Sequence, residues 1–258
     1  NVLRGPGIGD DCRGLAVVLA VIRAMNQAKV QTPGTITFVG TVGEEGLGDL
    51  RGVKYLFNEG MKGQIDRFVS IDGTGLGITH LAVGSLRYRV TFKGPGGHSY
   101  GAFGRVSNPL HALGRAVEKI SQFEVPADPK TTFNVGRVGG GTSVNSIPFE
   151  SWFEMDMRSA SPSALQALDV KFKRAVDEAV IEEDARWKTT LLKVDKELVG
   201  NRPAGQTAAN SPIVQAAVSV TRTLGFPVTL DEGSTDSNIP MSLGIPAITI
   251  DGRAALKT

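Results

Sequence analysis

Histidine and cysteine, the usual soft partners of a protein-bound transition metal, are scarce here: 258 residues hold three histidines and one cysteine. A single cysteine, Cys12, excludes an internal disulfide framework. Its acidic neighbours make it a poor candidate nucleophile, so it reads as an ordinary small side chain. Long apolar runs are also missing, and no stretch has the length a bilayer-spanning helix needs. Charge of one sign is not in excess, with 28 basic against 26 acidic residues and a net charge of +2. The basic residues are dispersed, so neither nucleic acid nor a membrane is expected as a partner, and the cytoplasm is the expected compartment. The first residues, Asn1 to Arg4, run into a glycine-rich loop without an initiator methionine, which reads as the start of a fragment.

What the chain does have is acid in three tight knots, all in its first third: Asp10-Asp11, Glu44-Glu45 and Asp72. Each is flanked by glycine, in GPGIGDDCRG, ITFVGTVGEEGLGD and FVSIDGTG, and the last two close apolar runs. Acids gathered at the ends of buried strands repel one another unless a cation lies between them. A metal centre is therefore the leading reading, with the shortage of histidine as its difficulty.

The organisation around these knots is α/β. Apolar residues recur at helical spacing from Leu15 to Met25, a strand is expected over Thr35–Val39, a helix over Gly52–Glu59 and a strand over Arg67–Ile71. From Ser85 the pattern becomes strand (to Lys93), helix (about 108–122), strand (about 131–138), strand (147–158), helix (162–186) and strand (189–195). That order, βαββαβ, is the ferredoxin-like arrangement. After Pro203 the α/β pattern resumes, with a helix over 212–224 and strands over 227–230 and 247–250. The expected division is a catalytic domain in two parts, residues 1–83 and 198–258, interrupted by a ferredoxin-like domain over 84–197.

Each motif has an ordinary explanation. An aspartate before a helix is a good N-cap, which accounts for one of Asp10 and Asp11 but not both. Glu44-Glu45 alone would be a solvated turn, and Asp72 a turn residue before glycine. GPGIG superficially resembles a nucleotide loop, but two acids at the helix start would oppose a phosphate. Adjacent glutamates at a strand end can instead divide labour, one holding a metal and the other moving a proton.

Taken together, GIGDDCRG, GEEGLGD, SIDG, GPGGHS, NSIP and MDMR resemble the dizinc exopeptidase and amidohydrolase family that includes carboxypeptidase G, peptidase T, aminoacylase and succinyl-diaminopimelate desuccinylase. The resemblance implies a zinc-exopeptidase-like α/β domain carrying a ferredoxin-like lid or dimerisation domain. It implies two divalent ions, zinc or alternatively cobalt or manganese. It casts Asp10 as the carboxylate bridging them, joined to Asp11 by a cis peptide, with Glu45 and Asp72 holding one metal each. Glu44 resembles the general base acting on the water between the metals. His98 resembles the group that polarises the scissile carbonyl across a homodimer formed through the inserted domain, and Asn145 and Arg158 resemble groups that hold the substrate's carboxylate. GSTDSNIP resembles the family's substrate loop.

The implied reaction is hydrolysis of an amide bond in a small peptide or N-acyl amino acid. The family's first and last histidine ligands have no counterpart here, and neither His80 nor His111 falls at a ligand position. The chain as it stands is therefore expected to be incompletely metallated and inactive. The alternatives are a metal-free binding or regulatory derivative on the same scaffold and a nucleotide-binding α/β protein using GPGIG.

Overall fold

The computed structural model describes residues 5–73 and 75–251. The reading of the chain's first and last residues falls on 1–4 and 252–258, outside the described residues. By its internal contacts the chain forms two compact units, one built from residues up to Val83 and from Arg202 onward, the other from Gly84–Asn201.

In the first unit, α1 (Cys12–Ala28) opens the fold. Its N-cap is Asp11, whose Oδ1 accepts the Gly14 amide at 2.9 Å, and Lys29 closes it in the left-handed conformation. The sheet joins β1 (Phe68–Ile71), β2 (Ile78–Ala82), β9 (Gly205–Gln206), β10 (Leu230–Gly233) and β11 (Ala247–Ile250). Its order is β1-β11-β2-β10, with β9 also on β2. The β1–β11 and β2–β10 pairs are parallel, whereas β11–β2 is antiparallel. The short α2 (Arg51–Tyr55) and α6 (Asn238–Ser242) bury Leu50, Val53, Phe57 and Ile239 in one cluster, and α5 (Pro212–Thr223) packs Val214 and Val218 on Ile78 and Ile248.

Two strand expectations for this unit differ from the structure. Thr35–Val39 joins no ladder among the described residues, and Ile36, Phe38 and Val39 are exposed. An apolar run becomes a strand only when a neighbour takes its backbone groups. The strand expected from Pro227 begins at Leu230, since proline has no amide to give the ladder.

The second unit has the βαββαβ order: β3 (Gly84–Lys93), α3 (Pro109–Ser121), β5 (Thr131–Gly140), β7 (Glu150–Ser159), α4 (Pro162–Trp187) and β8 (Lys193–Arg202). The sheet order is β5-β7-β3-β8, and a separate ribbon pairs β4 (Gly97–His98) with β6 (Ser146–Ile147). Strand alternation sends Tyr88, Val90, Phe92, Phe153, Met155 and Met157 into a core shared with α3 and α4. The other sheet face is wet and charged, with Arg87 opposite Asp156 and Arg89 opposite Glu154. β8 starts four residues later than its apolar pattern suggests. Asp184 accepts the Leu191 and Leu192 amides and the Thr189 hydroxyl, which ties that stretch to α4 instead of the sheet.

Phe172 lies at the centre of this core, fully buried, with ring centroids 5.1 Å from Tyr88 and 6.4 Å from Phe153. Phe172→Ala is expected to cost about 3–5 kcal/mol in urea unfolding followed by circular dichroism; a loss below about 1 kcal/mol would contradict the packing described.

Candidate metal centre

Strand ends place the acids. β1 and β11 run parallel and finish together, with Ile71 beside Ile250. Asp72 follows directly, its amide donating to the Ile250 carbonyl at 3.1 Å. This is the carboxyl end of parallel strands, where open α/β sheets place ligands. Asp10 and Asp11 arrive at the start of α1 through a cis peptide bond, as the family resemblance implies. Carboxylate oxygens of Asp10, Asp11 and Asp72 all lie within 4.8 Å of one another.

Glu44 and Glu45 are set by a tight loop. Gly43 takes a positive φ of 74°, and its carbonyl accepts the Leu50 amide at 2.9 Å. The backbone of Gly48 returns so close to Gly43 that a side chain there would strike it. The turn points the neighbours differently: Glu44 is half-buried and Glu45 exposed. Glu45 stands outside the Asp10–Asp11–Asp72 cluster, and its side chain makes no capping bond to the 3₁₀ turn that follows. The structure thus groups Asp10 with Asp72 and adds Asp11, for which the sequence reading gave only a cis peptide bond to Asp10.

Burial and like charge raise the proton affinity of these acids. Desolvation pushes Glu44 from 4.5 to about 7; Arg202 opposes this, while Asp72, Glu45 and Asp236 add to it. Desolvation followed by Asp10 pushes Asp72 from 3.8 to about 6. Three close carboxylate oxygens, one of them on an acid held in this way, form a donor set suited to a hard or borderline divalent cation.

Two residues that sequence reading did not single out complete this surrounding. Arg202 is 4 % exposed and donates through NH1 to Glu44 Oε1 at 2.9 Å and to Ser234 Oγ at 3.3 Å, and through NH2 to the Glu44 carbonyl. Asp236, in GSTDSNIP, is buried and accepts the Thr41 hydroxyl at 2.5 Å. An isolated arginine before a proline carries no sequence signal of its own. The clue to Asp236 was its place in GSTDSNIP, which the family resemblance implied to be a substrate loop.

The remaining expected residues belong to the second unit. His98 and Asn145 meet on the β4–β6 ribbon: His98 pairs with Ser146, and the Ser99 amide donates to the Asn145 carbonyl at 2.9 Å. His98 is exposed, and its Nδ1 accepts the Tyr100 amide at 3.2 Å. In the neutral ring the proton then sits on Nε2, which is left as a donor. Arg158 lies on the charged sheet face, its Nε bonded to Asp156 Oδ2 at 2.7 Å, while Asp156 Oδ1 accepts Arg87 Nε at 2.8 Å. Burial opposes it, yet these two arginines hold the Asp156 carboxyl below its usual range. The Arg158 side chain keeps 40 % exposure, with its plane fixed by Asp156. His80 bonds the Thr207 carbonyl and His111 lies against Glu183, so neither joins the acids.

These shifts make a prediction for the metal-free protein. The folded chain holds a proton on Glu44 up to about pH 7, the unfolded chain only to about 4.5, so the contribution of Glu44 to stability declines as pH rises through that window. Glu44→Gln cannot titrate, so its melting temperature relative to the unsubstituted protein should climb from pH 4.5 to 7. A difference that is flat or falls with pH in thermal melts would contradict the burial of this carboxylate.

Comparison with known proteins finds likenesses to parts of the chain and to its fold. Residues 82–184 match the model of the peptidase dimerisation domain, and residues 1–99 match that of peptidase family M28. An uncharacterized protein of Bacillus subtilis is 26% identical over 243 residues, covering 93% of this chain and 62% of that protein. A succinyl-diaminopimelate desuccinylase of Nitrosospira multiformis is 27% identical over 202 residues, 73% of this chain and 52% of the enzyme. The crystal structure of a tripeptidase from Staphylococcus aureus shares the fold at a TM-score of 0.75 with 23% identity, covering 96% of this chain and 64% of that one. The chain thus spans about half to two thirds of the length of the proteins it matches. One segment of the chain thus matches a peptidase dimerisation domain and another a peptidase family, and the fold as a whole is that of the tripeptidase.

Proposed function

We propose that the complete protein hydrolyses an amide bond in a small peptide or N-acyl amino acid, using two divalent ions held by the acids of the first unit. The observation that carries this reading is the convergence of Asp10, Asp11 and Asp72 oxygens within 4.8 Å, beside the half-buried Glu44. Asp10 and Asp72 would hold the ions, with the exposed Glu45 as a further ligand. Once bound, the ions would polarise the carbonyl and make water acidic enough to attack at neutral pH. Zinc is the ion proposed, with cobalt or manganese as substitutes.

The chain's own groups supply the rest. Glu44 takes the proton from the attacking water and returns it to the leaving amine. His98, reaching across the proposed homodimer, presents Nε2–H to the developing negative oxygen, a role its Tyr100 contact suits by fixing the tautomer. Arg158, with its fork held by Asp156, receives a terminal carboxylate of the substrate, assisted by Asn145. Association of two copies through the second unit is proposed from its match to a peptidase dimerisation domain.

A panel of dipeptides and N-acyl amino acids, assayed with added zinc, cobalt and manganese, tests the reading. Glu44→Gln should keep metal uptake and lose turnover by at least about 100-fold. Retained turnover would remove Glu44 as the base. Absence of both metal uptake and hydrolysis in the unsubstituted protein would favour a metal-free binding derivative.

Asp156→Asn is expected to raise KM for substrates ending in a free carboxylate by about tenfold or more, while leaving carboxamide-ended analogues unchanged. Equal effects on both analogues would show that Arg158 does not read that carboxylate.

A further inference from the structure

Within the first unit, Arg202 places a full guanidinium at 4 % exposure. A cation buried to this degree is costly unless its partners are well arranged. Here they are concentrated on one residue: Arg202 grips Glu44 twice, at side-chain Oε1 (2.9 Å) and at the backbone carbonyl. Its remaining contact is Ser234 Oγ at 3.3 Å, and Arg202 Nε has no hydrogen-bond partner among the described residues. The residues around it are equally committed. Asp236, 5 % exposed and within electrostatic reach of Arg202, holds Thr41 at 2.5 Å, three residues before Glu44. Arg202 and Asp236 therefore secure both the side chain of Glu44 and the segment leading into it.

A glutamate carboxylate has three rotatable bonds above its backbone, and a group that must meet one proton loses rate steeply when it wanders. Fixing Oε1 and the carbonyl of the same residue removes that freedom and leaves Oε2 as the oxygen for proton transfer. We propose that Arg202 is a positioning residue that clamps Glu44 in its proton-transfer geometry, with Asp236 and Ser234 holding the clamp from the GSTDSNIP loop. The inference rests on the reading of Glu44 as general base.

Lysine at this position would supply charge without the planar fork, so it separates geometry from electrostatics. The test compares Arg202→Gln and Arg202→Lys with the unsubstituted, zinc-loaded protein on the same substrate panel. Arg202→Gln should lower kcat by about 100-fold. KM should stay within about threefold, with zinc stoichiometry and melting temperature retained; Arg202→Lys should recover only part of the rate. In a Glu44→Gln background, Arg202→Gln should cost less than about twofold more, because a residue acting through Glu44 has nothing left to position.

A separate readout needs no turnover. In arginine-selective ¹⁵N spectra of the metal-free protein, the Arg202 guanidinium should rotate slowly and be released by Glu44→Ala. If Arg202→Gln fails to fold, Arg202→Lys and this spectrum carry the test. The clamp is overturned if Arg202→Gln or Arg202→Lys keeps kcat within about threefold, if the two substitutions multiply independently, or if the guanidinium rotates freely. An unsubstituted protein with neither zinc uptake nor hydrolysis would overturn the hydrolase reading itself, and the clamp's catalytic meaning with it. Normal hydrolysis with an indifferent Arg202 would overturn the clamp alone.

Discussion

Carboxylates resist being gathered at the end of a sheet, and the first unit gathers them all the same. Two unit charges about 4 Å apart repel by about 1 kcal/mol in water and about 4 kcal/mol near a protein surface. Asp10, Asp11 and Asp72 have oxygens within 4.8 Å of one another, and Glu44 and Asp72 are also half-removed from solvent. Without a cation, the fold answers by raising the proton affinity of Glu44 and Asp72 and by burying Arg202 against Glu44. A divalent ion answers the same repulsion while leaving the acids ionised. Much of the local architecture follows from this one constraint.

Each acid is delivered by a different backbone device. Asp72 extends the last rung of the parallel β1–β11 pair, and Asp11 caps α1 while Asp10 precedes it through a cis peptide. Glu44 leaves a turn that closes only because Gly43 takes a positive φ and Gly48 has no side chain. The second unit has its own logic. One face of its sheet builds the aromatic core and the other carries paired charges, so Arg158 emerges already oriented by Asp156. On the β4–β6 ribbon, backbone pairing brings His98 and Asn145 together from distant parts of the sequence.

The sequence was most readable where local pattern and chemistry coincide. The βαββαβ order and the strand-end placement of Asp72 follow from alternation, helical spacing and glycine-flanked acids, whereas the pairing of Asp10 with Asp72 was implied only by the family resemblance. Residues whose importance depends on a distant partner were not readable. Arg202 meets Glu44 across 158 positions, and Asp236 meets Thr41 across 195. Thr35–Val39 has the composition of a strand but joins no ladder among the described residues, because composition proposes a strand and only a neighbour makes one. Which of Asp10 and Asp11 caps the helix was open in the sequence; Asp11 does so, and its carboxylate also reaches the acidic cluster.

The central claim is that the gathered acids exist to hold divalent metal. Calorimetric titration of zinc into the metal-free protein, repeated with Asp10→Asn and Asp72→Asn, tests it most directly. Saturable binding that weakens by at least about tenfold in both variants, while their melting temperatures hold or rise, is the predicted result. Absence of binding, or binding indifferent to both substitutions, would contradict it.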